Sequence, residues 1–236
     1  MEISPDHIIV WQTDGFALNA TVAFTWVVMV ILGLGSFLVT RNLSTGHQIS
    51  PWQNLLEAVV ETIEDQIRNT SHLEPQPYLP FIGTLFLFIA LSNLLEIVPG
   101  FRSPAGSLST TIALALCVLV AVPFFGIRKS GWLNYLKIYI QPTPIMLPFQ
   151  IISEISRTVS LAIRLFGNVM STGLLVAILL LIVPLFLPAI IQLFGLLVGL
   201  IQAYVFALLA MVYIASGSRA QGGTTHKSSQ SGASHG

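Results

Sequence analysis

The sequence predicts an all-α polytopic membrane protein with about five membrane helices and one interfacial amphipathic helix. Composition is the first reason. Of the 236 residues, 54% are hydrophobic and only 8% are charged, and the mean hydropathy is +0.81, whereas a soluble domain carries about 25% charged residues. Long apolar runs are the second reason, because a spanning helix needs about 20 predominantly apolar residues. We expect a single integral membrane domain over residues 1–236.

Five apolar runs predict the spans, and they cover residues 16–40, 79–99, 107–127, 145–183 and 189–215. The fourth run would measure about 58 Å as a helix at about 1.5 Å per residue, against a hydrocarbon core of about 30 Å. It therefore has to tilt steeply, bend or lie partly along the membrane. Pro184 and Pro188 end this run and turn the chain into the last helix, so that the two runs form a long, strongly tilted hairpin.

The basic residues predict the orientation of the five spans. With the N-terminus outside, the outward loops carry only Arg102. The inward segments then carry Arg41, Arg68, Arg128, Lys129, Lys137, Arg219 and Lys227. Cytoplasmic loops are enriched in Lys and Arg, so we expect a cytoplasmic C-terminus. The acidic start MEISPDHIIVWQTDG does not resemble a signal peptide.

Residues 51–69 differ from the spans because their pattern is amphipathic. Ser50 and Pro51 suit the start of a helix. The apolar stripe consists of Trp52, Leu55, Leu56, Val59, Val60, Ile63 and Ile67. The opposite face carries Glu57, Glu61, Glu64, Asp65 and Arg68. We expect this helix to lie on the membrane or on a partner. The tail 216–236 has low complexity and is expected to be disordered, with His226 and His235 incidental.

The fourth run carries a polar face along one side of an otherwise apolar helix. Its members recur at spacings of three and four residues and are Ser153, Arg157, Ser160, Arg164, Gly167, Asn168 and Ser171. Small and hydroxylated residues often line helix–helix contacts, which explains the serines and Gly167 as well as a functional role does. It does not explain the two arginines.

A charge inside a membrane usually has a partner or a water-filled cavity. Arg157 has Glu154 three residues earlier on the same helix, so a local ion pair is expected there. Arg164 has no acidic residue three or four positions away. The other acid within a membrane run is Glu96, near the end of the second span. Either Glu96 reaches Arg164 or the counter-charge belongs to another polypeptide.

The last helix presents a matching face of small and amide residues, which are Gln192, Gly195, Gly199 and Gln202. The glycines allow a close helix approach, and the glutamines can form hydrogen bonds across an interface. Tight packing of the two hairpin helices is therefore expected. It leaves room for Gln202 to position Arg164.

Taken together, these segments closely resemble subunit a of the rotary F-type ATP synthases. The resemblance rests on SRTVSLAIRLFGN followed by GLIQAYVFALLAMVYI, and on YLPFIGTLFLFIALSN and SLSTTIALAL in the earlier spans. It implies that Arg164 faces a rotating c-ring of hairpin subunits, whose mid-membrane carboxylate supplies the missing counter-charge. It also implies two aqueous half-channels on either side of Arg164, with Asn168 and Gln202 as its polar partners.

The sequence departs from the family where many members carry an ionisable relay group, because those positions are Gly173 and Gly195. We expect Glu96, with Asn93 and Ser92, at the mouth of the outer half-channel, although Glu96 at a helix end facing solvent explains the sequence equally well. Ser160, Arg157, Glu154 and Gln192 are possible supporting residues. Protons are the default coupling ion, and sodium remains an alternative.

The rival functions predict features that the sequence does not carry. A self-contained secondary transporter or channel using Arg164 as an anion site predicts internal repeats or paired broken helices. A membrane enzyme needs a nucleophile–base pair or a metal cluster, and no histidine falls in a span, while the one cysteine, Cys117, offers no disulfide. A purely structural subunit leaves Arg164 unexplained. We therefore expect a non-catalytic subunit of a bacterial plasma membrane without cofactor, metal or nucleic acid. Its expected partners are the c-ring, the b-type peripheral-stalk subunits and the lipid bilayer.

Overall fold

The computed structural model describes residues 9–13, 16–41, 51–71, 74–98, 101–131, 146–183 and 186–219. The described chain begins with a short antiparallel hairpin in which strand β1 (Ile9–Thr13) pairs with strand β2 (Phe16–Asn19). The sequence pattern did not predict this hairpin, and its second strand occupies residues that were assigned to the first span. Everything described after it is helical or loop, so the predicted all-α membrane fold is confirmed.

Six α-helices follow in the described part of the chain. They are α1 (Ala20–Arg41), α2 (Pro51–Ser71), α3 (Leu79–Leu94), α4 (Leu108–Ser130), α5 (Met146–Ile182) and α6 (Leu187–Arg219). All except α2 are long and apolar enough to cross a membrane. Short 3₁₀ turns at Leu95–Ile97 and Pro104–Gly106 lie between α3 and α4.

The end of α6 corrects the predicted start of the tail. The helix continues to Arg219, so residues 216–219 are helical instead of disordered. Ile214 and Ala215 are buried against the bundle, and Ser216 Oγ donates a 2.9 Å hydrogen bond to the Tyr213 carbonyl. These contacts hold the helix past the end of the apolar run. Residues 220–236, with both tail histidines, lie outside the described part.

Helix α5 is one continuous helix of 37 residues. At about 1.5 Å per residue it is about 55 Å long, well beyond the apolar thickness of about 30 Å. Its length therefore requires a strong tilt or a course partly along the membrane.

The helical bundle has two ends, and each is named here after one residue that lies at it. At the Glu96 end, α3 and α5 finish while α4 and α6 begin. At the Tyr213 end the directions are reversed. The core between the two ends is formed by α3, α4, α5 and α6. Its buried members include Leu85, Ile89, Ala115, Val118, Leu161, Leu165, Ala203 and Phe206.

Helix α2 docks on the bundle at the Tyr213 end. Ile67 is fully buried in a cluster with Tyr78, Ile82 and Ile214, and Ile63 packs against that cluster. The expectation that the apolar stripe lies on the membrane or a partner is therefore wrong for its last turns, because that part covers the chain's own core. The acidic face stays outside, with an exposed ion pair of 3.3 Å between Arg68 and Glu64.

Candidate functional site

Part of the polar face of α5 is exposed outside the bundle. Leu161, Leu165 and Val169 are buried against the other helices. Ser160 and Arg164 lie on an adjacent side of the helix and are exposed. Packing against helices of the same chain therefore does not account for the exposed serines of this face. The exposed strip is available to a molecule outside the described chain.

Arg164 has neither a hydrogen bond nor an ion pair to any other residue in the part of the chain that the structure describes. Glu96, the acid considered above as its partner, lies instead in the turn after α3, where its carbonyl accepts a hydrogen bond from Gln192. Of the two alternatives for the counter-charge, the geometry favours one from another polypeptide. A guanidinium without a partner at this depth is costly, since charges inside a membrane are normally paired or hydrated.

Arg157 lies seven residues before Arg164 on α5 and has a different environment. Its guanidinium carbon lies 5.5 Å from the centre of the Tyr213 ring on α6, within the range of a cation–π interaction. Glu154, Thr158, Tyr213 and Arg157 line a small cavity together with residues of α4. The local ion pair between Glu154 and Arg157 stays a prediction. The sequence pattern does not single out Tyr213, because an aromatic residue near a helix end is indistinguishable from a packing residue.

A second small cavity lies at the Glu96 end, between α3, α5 and α6. It has room for about one water molecule. Its lining comprises Asn93, Glu96, Ile97, Thr172, Gln192, Gly195 and Leu196. Gln192 Nε2 donates a 3.2 Å hydrogen bond to the Glu96 carbonyl, which ties α6 to the end of α3. The cavity therefore brings together Glu96, Asn93 and Gln192, which lie on two separate apolar runs of the sequence.

Gly195 and Gly199 of α6 approach two different helices. A Cβ on Gly195 would collide with Thr172 Cγ2 of α5. A Cβ on Gly199 would lie 3.0–3.1 Å from the side chain of Asn93, on α3. Of the two glycines of the predicted face, Gly195 contacts α5 as expected, whereas Gly199 contacts α3. Thr172 also escaped prediction, although its spacing of four residues from Asn168 continues the polar pattern.

Gln202 is buried, with 9% of its surface exposed, while Asn168 is half-buried. Along the antiparallel pair α5–α6, Arg164 lies between the contacts at Arg157 and Thr172. Gln202 lies between the matching contacts on α6, at Tyr213 and Gly195. Arg164 and Gln202 therefore occupy the same middle stretch of the helix pair, with one cavity toward each end. Among the described residues, no cluster of His, Cys, Asp and Glu is arranged to hold a metal ion.

Comparison with known proteins places the chain among close relatives. The sequence profile of the family described as ATP synthase A chain matches residues 22–215. The protein named ATP synthase subunit a 1 of Crocosphaera subtropica is 66% identical over 221 residues, which are 94% of this chain and 96% of the relative. A second relative, ATP synthase subunit a 2 of Acaryochloris marina, is 57% identical over 93% of this chain and 94% of the relative. ATP synthase subunit a of Albidiferax ferrireducens is 56% identical, with 93% and 95% covered.

Proposed function

Because the chain belongs to the ATP synthase A chain family and is thus a component of the membrane-embedded Fo sector, we propose that it is the stator channel of that sector. In this proposal Arg164 faces the carboxylates of a rotating c-ring. Two aqueous half-channels deliver ions to the ring and remove them, so that ion flow across the membrane drives ATP synthesis. The chain itself carries out no covalent chemistry.

The observation that carries this proposal is the placement of Arg164. The guanidinium lies on the exposed strip of α5, and no acid of the described chain neutralises it. A passing carboxylate would supply the missing charge. An ionised carboxylate is stable beside the arginine but costly in lipid, whereas a neutralised one enters lipid at a much lower cost. The ring therefore turns only when an ion is released on one side of Arg164 and taken up on the other.

The two cavities support a pair of offset half-channels. The cavity at the Glu96 end lies against α3, and the one at the Tyr213 end lies against α4. They lie toward opposite ends of the α5–α6 pair and against different neighbouring helices. A fixed positive charge between them blocks a direct leak of cations from one to the other. We assign the Glu96 end to the outside, in line with the distribution of basic residues, and Glu96 to the mouth of that half-channel.

Further parts of the proposal concern the surroundings of the chain. The exposed acidic face of α2 suits a basic segment of a b-type peripheral-stalk subunit. The location is a bacterial plasma membrane, with the N-terminus outside. The coupling ion is a proton or a sodium ion, and the ring subunit decides which. Asn168 and Gln202 are proposed to keep the Arg164 side chain directed toward the ring, with Ser160, Glu154, Arg157 and Gln192 in supporting positions.

ATP-driven ion pumping by the whole complex in sealed vesicles tests the proposal. Arg164→Ala is compared with wild type and with Ile163→Ala, which truncates the neighbouring exposed side chain. Each is assayed with protons and with sodium as the only coupling ion. We expect Arg164→Ala to assemble but to lose coupled pumping, while Ile163→Ala pumps. Normal coupled pumping by assembled Arg164→Ala complexes would contradict the stator role of Arg164. The ion dependence of wild type identifies the coupling ion.

A further inference from the structure

Two buried amides lie where α3 meets α6. Asn93 is 3% exposed and Gln202 is 9% exposed. Asn93 Nδ2 donates a 2.9 Å hydrogen bond to the Gly199 carbonyl. This bond fixes the orientation of the Asn93 amide, because the flipped amide would place its oxygen against the carbonyl oxygen. Asn93 Oδ1 therefore presents an acceptor in a defined direction.

Neither Asn93 Oδ1 nor Gln202 Nε2 has a hydrogen-bond partner among the residues that the structure describes. Buried polar atoms are normally satisfied by protein groups or by ordered water. The Asn93 side chain contacts α6 at Gly199, and Gln202 follows three residues later on that helix. Positions three apart on a helix are neighbours, with Cβ atoms about 5–6 Å apart. The acceptor on α3 and the donor on α6 therefore lie in the same small region.

The chemistry of these two atoms selects the ligand. A water molecule donates to Asn93 Oδ1, accepts from Gln202 Nε2 and keeps one hydrogen and one lone pair for a further neighbour. A bare cation suits the oxygen but is repelled by the N–H donor. The pair thus fits a neutral water molecule and disfavours a metal cation at this point.

We propose that a water molecule bridges Asn93 Oδ1 and Gln202 Nε2 and connects the Glu96-end cavity to Gln202. The inference rests on the proposed function, and it specifies a route for the ion through the outer half-channel. Asn93 belongs to the lining of that cavity, so its amide is shared between the cavity and the buried Gln202. The outer path then follows α3, and it does not need an ionisable group at Gly173 or Gly195. Asn93 acts as a positioning residue for the water.

Two substitutions at one position separate this role from simple packing. Asn93→Leu keeps the branched shape but removes both polar atoms, whereas Asn93→Ser leaves a smaller, hydrated site. We expect Asn93→Leu to lower the initial rate of ATP-driven pumping by the whole complex by about tenfold or more, because an apolar group displaces an ordered water. Asn93→Ser is expected to keep most of the rate. A purely structural role predicts the opposite order, with Leu tolerated better than Ser.

The matched control is Thr111→Val on α4, in which the new side chain has nearly the same size as the old one. It removes a buried hydroxyl that donates a 3.2 Å hydrogen bond to the Ser107 carbonyl. It is expected to pump at the wild-type rate. Arg164→Ala is measured in the same vesicles. Loss of pumping in Arg164→Ala together with a normal rate in Asn93→Leu would overturn the water path alone. Normal pumping in Arg164→Ala would overturn the proposed function itself.

A high-resolution cryo-EM map of the wild-type complex decides the matter if Asn93→Leu fails to assemble. We expect density for one water molecule within hydrogen-bond distance of both Asn93 Oδ1 and Gln202 Nε2. A direct bond between the two side chains, or an empty gap, would overturn the proposal.

Discussion

Helices α5 and α6 are joined differently at their two ends. At the Glu96 end Thr172 of α5 lies in close contact with Gly195 of α6, and α6 is also tied to the end of α3 by the neutral hydrogen bond from Gln192 to the Glu96 carbonyl. At the Tyr213 end a cation lies over an aromatic ring, as Arg157 does over Tyr213. Arg164 lies between these two joints and takes part in neither.

The difference shows that residue type alone does not define a role in this membrane protein. Arg157 and Arg164 are separated by two helical turns and both are exposed. One interacts with its own chain, and the other has no partner within the described residues. We therefore assign Arg157 to contacts within the chain and propose that Arg164 interacts with another molecule.

The largest effect is expected from replacing Arg164 by lysine, with Arg157→Lys for comparison. Arg164→Lys should lower ATP-driven pumping by about tenfold or more, equivalent to about 1.4 kcal/mol or more, because an ammonium group loses its proton more easily when desolvated and lacks the planar fork of donors. Arg157→Lys should stay within about twofold of wild type, since lysine also binds an aromatic face. Equal losses at both positions would remove the distinction between the two arginines.

The close contact at the Glu96 end predicts the next largest effect. Gly195→Ala should destabilise the subunit by about 1–3 kcal/mol, because the added methyl group collides with Thr172. Combining it with Thr172→Ser, which removes the colliding methyl group, should restore much of the loss. Gly173→Ala is the control, since a Cβ there meets nothing within 4 Å. The measurement is the temperature at which the subunit leaves the detergent-solubilised complex. No rescue in the double variant would argue against this contact.

Removing the neutral hydrogen bond at the same end should have a moderate effect. Gln192→Leu is expected to cost about 0.5–1.5 kcal/mol, because it loses the bond to the Glu96 carbonyl. The same thermal assay measures it. Leu193→Ala, on an exposed neighbouring position, serves for comparison. A Gln192→Leu variant as stable as wild type would show that α6 is held to the end of α3 by packing alone.

The smallest effect is expected at the Tyr213 end. Tyr213→Phe keeps the aromatic ring and should leave stability nearly unchanged. Tyr213→Leu loses the ring and should cost about 0.5–1 kcal/mol more, as an exposed cation–π pair does. Thermal dissociation of the complex at low and high salt measures both variants. If the two variants are equally stable, the ring does not hold Arg157.

Much of the architecture is predictable from the sequence because hydrophobicity and length decide which segments cross a membrane. The number of apolar helices, the excess length of α5 and the amphipathic α2 follow from those patterns. The hairpin at β1 and β2, the helical continuation to Arg219 and the docking of Ile67 depend on contacts between distant segments. A one-dimensional pattern does not encode such contacts.

The candidate site divides in a similar way. Arg164 is identifiable from sequence because a charge in an apolar run has few explanations, and Glu96 and Gln202 follow as rare polar residues in such runs. The partners of these residues are not identifiable. The same spacing on α6 serves one glycine that contacts α5 and another that contacts α3, and a helical pattern does not tell which neighbour lies on which side.

The alternation of these two glycines has a mechanical consequence. Gly195 seats a side chain of α5, and one turn later Gly199 seats a side chain of α3. A sideways load applied to α5 therefore passes into α6 and from there into α3 without a flexible side chain of α6 in between. Because tightly packed contacts compress little, α5, α6 and α3 are expected to move together under such a load. Gln202 lies three residues after Gly199, within one turn of the contact between α6 and α3.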